Sequence, residues 1–282
     1  MVTSELQAAE PLTLADVAGG LALSDAAGWN QTVDDWALFI EEGRAIGCRD
    51  PEGRLIATAA ALPYGAGVGW VSMVLVDAAF RHRGLASALL GDCVDWLRGA
   101  GRVPVLDATP AGAEVYRRLG FVGGFELARW EGTGSGDPAS DPPPGARPNG
   151  AIVETILAVD ALATGIARGA VLRSFLARPT TRACRPADGS GYVIARAGRR
   201  ATQLGPLVAA SEDVACELLA AALAGCADRV FIDVPTHRPG IADWLAQRGF
   251  TRQRSFLRMA LGPTPALALG ERIFAVAGPE FG

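Results

Sequence analysis

At 282 residues the chain is long enough for two compact domains. Half of its residues are hydrophobic and a fifth are charged, which excludes a largely disordered chain. A formal net charge of -4 supplies no global basic field, so neither nucleic acid nor a membrane is expected as a partner. The only two histidines, His82 and His237, lie too far apart for a histidine-rich metal site or a Ser-His-Asp triad, and no metal is expected.

The N-terminus has no basic stretch followed by an apolar run, so no signal peptide is predicted. Five cysteines, odd in number and without a C-x-x-C pair, predict reduced thiols and a cytoplasmic protein. In "AGWNQTVDDWALFIEEG" a Gly-Trp-Asn turn leads into a predicted helix with Trp36, Phe39 and Ile40 at helical spacing. Residues 55–76 form the longest uncharged stretch, but Pro63 and the glycines of "PYGAGVG" predict two strands and a turn rather than a membrane span. Met73 to Val76 reads as a buried strand, and from Leu85 the positions Leu85, Leu89, Cys93 and Leu97 recur every four residues, predicting a helix. "VPVLD" (103–107) is a further strand, followed by a Pro-containing loop, a helix, and Gly-Phe opening the next strand.

"GTGSGDPASDPPPGARPNG" is a predicted linker, dividing the chain into domains at 1–131 and 151–282 with the linker at 132–150. The two sides read as a diverged repeat, with "LDATPAGAEVYRRLGF" matching "IDVPTHRPGIADWLAQRGF". Strands alternating with helices imply a mixed α/β fold in each half.

Between the strand ending at Val76 and the helix starting at Leu85 stands "DAAFRHRG". Gly84 removes a side chain where a ligand can approach the backbone, and the first helical N–H groups are free donors at the positive end of the helix dipole. Arg81 and Arg83 add positive charge. Such a loop suits a phosphate or pyrophosphate. It has neither the Walker A pattern nor the dinucleotide-binding glycine spacing.

"RHRGLA" resembles the pyrophosphate loop R/Q-x-x-G-x-G/A of the GCN5-related N-acetyltransferase (GNAT) superfamily, with Arg81, Gly84 and Ala86 in the motif positions. "MVLV", the long helix, "LDATP" and "YRRLGF" follow in that family's order over about residues 70–130, and the whole chain resembles a bacterial tandem form. The resemblance implies acetyl-CoA as cosubstrate. Its pyrophosphate would lie on the N–H groups of His82, Arg83, Gly84, Leu85, Ala86 and Ser87, and its pantetheine would run antiparallel to Val74, Leu75 and Val76. It implies Tyr116 as general acid, the alternative being a packed aromatic with a surface hydroxyl. Where some family members carry a glutamate this chain has Ser72 and Met73, which leaves Asp107 as first candidate base or amine-positioning group, or as a structural carboxylate binding the N–H groups of "ATPAG". Trp29, Asn30, Trp36 and Trp70 are candidates for the acceptor wall, with core packing the alternative for Trp36. Asp34, Asp35, Glu41 and Glu42 attract a cationic amine or form a solvated face.

In the second half the loop position reads "AASEDVAC", where Glu212 and Asp213 would repel a pyrophosphate and Ser211 makes a helix cap, and Leu245 replaces the tyrosine. A degenerate second domain is expected, with Asp233 and His237 as possible contributors to the pocket. The expected activity is direct acetyl transfer from acetyl-CoA to an amine, of a small molecule before a protein, by a monomer or homodimer. The rival reading is a non-catalytic acyl-CoA sensor.

Overall fold

The structure, a computed structural model, describes residues 8–65, 67–136, 148–262 and 270–282. They cluster into two units, Met1–Val105 and Leu106–Gly282. Of the expected linker, residues 137–147 lie outside the described residues.

In the first unit β1 (Glu10–Pro11), β2 (Arg44–Arg49), β3 (Leu55–Tyr64) and β4 (Val68–Val76) form an antiparallel series. β5 (Val103–Ala108) starts in this unit, runs parallel to β4, and ends in the second. The uncharged stretch is thus a strand pair. Eight consecutive residues of β3 are buried, and because side chains alternate between faces, that run requires cover on both sides of the sheet. The cover comes from α1 (Val17–Ala26), α2 (Val33–Glu41) and α3 (Leu85–Gly99), all of which pack on β3. Leu89, Cys93 and Leu97 of α3 are completely buried, as their spacing predicts.

Trp36 sits in the α1–α2 core with no exposed surface. Its indole N–H donates to Ser24 Oγ at 2.9 Å, and Gly20 makes room for the ring: a Cβ there would lie 2.6 Å from indole carbons. Gly20→Ala is therefore expected to destabilise the chain by about 1–3 kcal/mol through overpacking, read as a lowered urea midpoint at unchanged m-value.

The second unit holds β6 (Val122–Thr133), β7 (Arg182–Cys184), β8 (Gly191–Arg196), β9 (Thr202–Ala209), β10 (Arg229–Pro235), β11 (Thr251–Ala260) and β12 (Ile273–Ala275). The sheet order is β11-β6-β10-β9-β8-β7, with β12 on β9. Its helices are α4 (Pro110–Arg118), α5 (Gly150–Thr164), α6 (Gly169–Ala177), α7 (Glu212–Ala224) and α8 (Pro239–Ala246). β6 is antiparallel to both β10 and β11, so the last strand of the first repeat is bonded on both sides by strands of the second. No helix among the described residues is long and apolar enough to cross a membrane.

Candidate active site

In the first unit β4 departs from a regular ladder. Leu75 faces Thr58 and Ser72 faces Ala60, so Met73 and Val74 together oppose the single residue Ala59, which is a β-bulge. Met73 has φ 53, a left-handed conformation that non-glycine residues seldom adopt. Its carbonyl, displaced from the ladder, accepts a bond from Thr58 Oγ1 at 2.9 Å. Ser72 Oγ, next to the bulge, is buried without a hydrogen-bond partner among the described residues. On its other side β4 pairs with β5 only from Val68 to Trp70, against Val103 to Val105. From Val71 to Val76 its only strand partner among the described residues is β3, so one edge of β4 opens into a wedge. Leu75 is buried while Val74 and Val76 are partly exposed.

The loop after β4 is held by charges and caps. Asp77 accepts from Ala79 N at 2.9 Å and pairs with Arg54 at 2.9 Å. The guanidiniums of Arg83 and Arg54 lie 5.0 and 5.8 Å from the Phe80 ring centroid. Arg81 Nε reaches back to the Val76 carbonyl at 3.3 Å. His82 (φ 61) and Gly84 (φ 80) are both left-handed, which turns the chain into α3. α2, α4, α5 and α7 carry side-chain N-caps and α1, α6 and α8 do not; α3 starts on Gly84, which has no side chain to supply one. A Cβ on Gly84 would meet nothing within 4 Å. The glycine therefore serves its backbone conformation, and the space before the free N–H groups of Leu85, Ala86 and Ser87 is open. Arg81 to Gly84 and Ser87 are exposed. An uncapped helix end, an open strand edge and an unpartnered hydroxyl fit an elongated ligand with a phosphate group.

The acceptor-wall candidates fall in different places. Trp29 is partly exposed, and its backbone N–H donates to Ser24 O, the residue whose hydroxyl holds Trp36. Asn30 is buried at 5 % exposure. Trp36 is committed to the core described above, and Trp70, 1 % exposed, stacks on Tyr64 at 6.2 Å. Asp35 closes a capping box with Thr32, which accounts for its burial at the start of α2.

In the second unit Tyr116 lies on α4, whose N-terminus is closed by Thr109 accepting from Gly112 N at 3.2 Å, with Pro110 in the first turn. The ring packs on Phe121 at 6.0 Å, and burial pushes the phenol up to about 12. Its hydroxyl makes no hydrogen bond to the described residues, so it remains a proton donor at any physiological pH.

Asp107 does not bind the N–H groups that follow it. It is buried and takes two 2.8 Å bonds from Arg258, to Nε and Nη2. Burial raises its carboxyl, the Arg258 guanidinium opposes that rise, and Asp233 adds to it. Asp233 is also buried, gripped by Arg129 through two 2.8 Å bonds and by Gln203 Nε2 at 2.9 Å. Each arginine stands nine residues after a glycine of Gly-Phe, Gly120 and Gly249, and each pairs with the aspartate of the opposite repeat. That periodic signal was present in the sequence; the pairing was not. His237 packs edge-on against Phe125 at 5.6 Å, and burial lowers its pKa.

The second repeat reproduces the frame without the polar groups. Phe250 N bonds Leu245 O at 3.1 Å as Phe121 N bonds Tyr116 O at 3.1 Å, but Leu245 is a fully buried core residue. Ser211 caps α7 through Val214 N at 3.3 Å, with Glu212 and Asp213 in the first turn.

The chain is similar to known proteins. An "Acetyltransferase (GNAT) family" model matches residues 21–121 and an "Acetyltransferase (GNAT) domain" model matches residues 156–275. A protein of Oryza sativa subsp. japonica named "Probable glucosamine 6-phosphate N-acetyltransferase 2" is 35% identical over 126 residues, which are 42% of this chain and 70% of that protein. A crystal structure of an acetyltransferase candidate from Pyrococcus horikoshii superposes with TM-score 0.80 at 18% identity, covering 100% of this chain and 98% of that one. A tandem GNAT protein from the clavulanic acid biosynthesis pathway gives TM-score 0.62 at 16% identity, over 92% of this chain and 100% of its own. Two matched domains and a relative covered over most of its length place the chain in the GNAT acetyltransferase superfamily, as a tandem of two such domains.

Proposed function

We propose that the first repeat binds acetyl-CoA and transfers its acetyl group directly to a primary amine of a small molecule, and that the second repeat has lost this chemistry. The carrying observation is the bulged, open-edged β4 leading into the uncapped, glycine-started α3. The free N–H groups of Leu85, Ala86 and Ser87, with Arg81 and Arg83 beside them, would hold the pyrophosphate. The open strand edge from Val74 to Val76 would bond the pantetheine amides. The bound thioester supplies an activated acyl group.

Tyr116, neutral and with a free hydroxyl, is the acid that gives a proton to the leaving sulfur; the family match that contains the loop also contains this residue. Asp107, with both oxygens on Arg258, acts in this reading as a positioning carboxylate and not as the base. Ser72 Oγ is a candidate partner for the incoming amine. The rice relative makes an amino-sugar phosphate a first acceptor to try. The non-catalytic sensor is a second reading because none of the bulge residues, Ser72, Met73 and Val74, carries a carboxylate.

The test is calorimetric titration of acetyl-CoA into wild type and Gly84→Glu, followed by release of CoA thiol with a panel of amines that includes glucosamine 6-phosphate. One site per chain is expected. Gly84→Glu weakens it roughly 10- to 100-fold, as a carboxylate beside a pyrophosphate costs about 1–3 kcal/mol. Gly84→Ala separates backbone strain from charge, since both variants share the strain and only one repels the anion. No binding to folded wild type overturns the reading, and binding without thiol release on any amine favours the sensor.

A further inference from the structure

The second repeat has the same wedge as the first, and the chain itself fills it. β9 and β10 pair in parallel only from Thr202 to Leu204, against Val230 to Ile232. Past that point they are bridged by residues 272–276. β12 runs antiparallel to β9, with Ile273 opposite Val208 and Ala275 opposite Leu207, and Ala209 N donates to Arg272 O at 2.9 Å. On the other side Val276 N donates to Asp233 O of β10 at 3.0 Å. Gly205 is what lets the segment enter, because a Cβ there would collide with the Val276 carbonyl oxygen.

The segment is anchored as a ligand would be. Ile273 to Ala277 are each at most 3 % exposed, and Phe281 is fully buried. Arg196, itself 1 % exposed, donates to Ala277 O at 2.6 Å and pairs with Glu280 at 3.3 Å. Phe281 packs edge-on against Phe175 at 4.9 Å, with the Arg196 guanidinium over both rings. Arg168, held by Asp160 through bonds of 2.8 and 3.0 Å, donates to Gly282 O. The Asp160 carboxylate also accepts from Tyr192 Oη at 2.6 Å. This is a dedicated set of buried polar groups aimed at one extended peptide.

We propose that the second repeat is a peptide-occupied acetyltransferase fold, in which residues 272–282 are the resident occupant of the wedge between β9 and β10. The occupant takes the backbone hydrogen bonds that an amide-containing cofactor arm would otherwise make, while Ser211 takes the N–H group that a phosphate would need. That the first wedge remains open for acyl-CoA rests on the reading above; the filling of the second does not.

Hydrogen exchange on the intact chain, with and without CoA, tests this. The amides of Ala275 and Val276 should exchange roughly 10³-fold or more slower than in an unstructured peptide and stay equally slow at saturating CoA, while residues 85–88 slow down when CoA binds. Near-coil exchange of 272–282, or loss of its protection on adding CoA, overturns the proposal. Unchanged exchange at 85–88 with 272–282 still protected overturns the functional reading alone. As a second arm, a protease site placed within 263–269 is cut. The released segment should remain bound through gel filtration and exchange one-for-one with a labelled synthetic peptide of residues 271–282. Its departure from a still folded chain, with no uptake of the labelled peptide, would sink the idea.

Discussion

Tyr116→Phe is expected to lower kcat by about 10²–10⁴-fold, the usual contribution of a positioned general acid, while leaving acetyl-CoA affinity within about threefold because no ground-state contact is removed. Stability at neutral pH should change by less than about 0.5 kcal/mol, since the hydroxyl bonds no described residue and the ring stays on Phe121. The pH profile gives an independent reading. A free phenol titrates near 10, but burial holds Tyr116 at about 12, so wild-type kcat should stay level through pH 10 and fall only towards 12. The linked stability has the same sign: a folded pKa above the unfolded value contributes stability that is intact below pH 10 and lost as pH rises towards 12. The variant should lack that loss. Stopped-flow thiol release across pH 7–11 measures the rate. An unchanged kcat in Tyr116→Phe would reduce Tyr116 to the packed aromatic that was its alternative role.

Much of the frame was legible in sequence because it depends on local pattern. Residues 55–76 read as two strands because Pro63 and the glycines of "PYGAGVG" break up an uncharged run, the strands meeting after Tyr64, and α3 read correctly because Leu89, Cys93 and Leu97 repeat on one face. Ser211 with Glu212 and Asp213 read as a helix start for the same local reason. What stayed hidden is relational. The bulge at Met73 exists only against Ala59 of a neighbouring strand, so no pattern within β4 displays it. Trp36 has the same helical spacing whether it lines a pocket or a core, and Gly20 and Ser24 are what assign it to the core. The ion pairs join residues 104 and 151 positions apart. An arginine on a strand of alternating polarity reads as solvent-facing until a buried aspartate is found opposite it. β12 is a three-residue apolar segment, and only the wedge between β9 and β10 gives it a role.

Arg258→Met should destabilise the chain by about 3–5 kcal/mol at pH 7, because it leaves the buried Asp107 carboxylate with no cation. Arg129→Met should cost less. Asp233 keeps the Gln203 amide at 2.9 Å, whereas among the described residues Asp107 has hydrogen bonds only from Arg258. The pH dependence follows from the direction of the shift. Burial already raises Asp107 and Arg258 opposes it, so removing the arginine lifts the folded pKa further above the unfolded value near 3.9. Such a group contributes stability that is fully present below about pH 4 and is lost as pH rises through the folded pKa. The Arg258→Met deficit should therefore be smallest near pH 4–5 and grow towards pH 8, as read by urea midpoints; a deficit independent of pH would mean that packing and not the orphaned charge is responsible. Arg258→Met combined with Asp107→Leu should recover most of the loss, since a buried pair exchanged for apolar groups of similar volume is often neutral. The double variant also separates fold from chemistry. If it is stable and turns over normally, Asp107 neither positions the amine nor takes part in proton transfer, and if it is stable yet loses kcat with acetyl-CoA affinity intact, the positioning role proposed for the carboxylate stands.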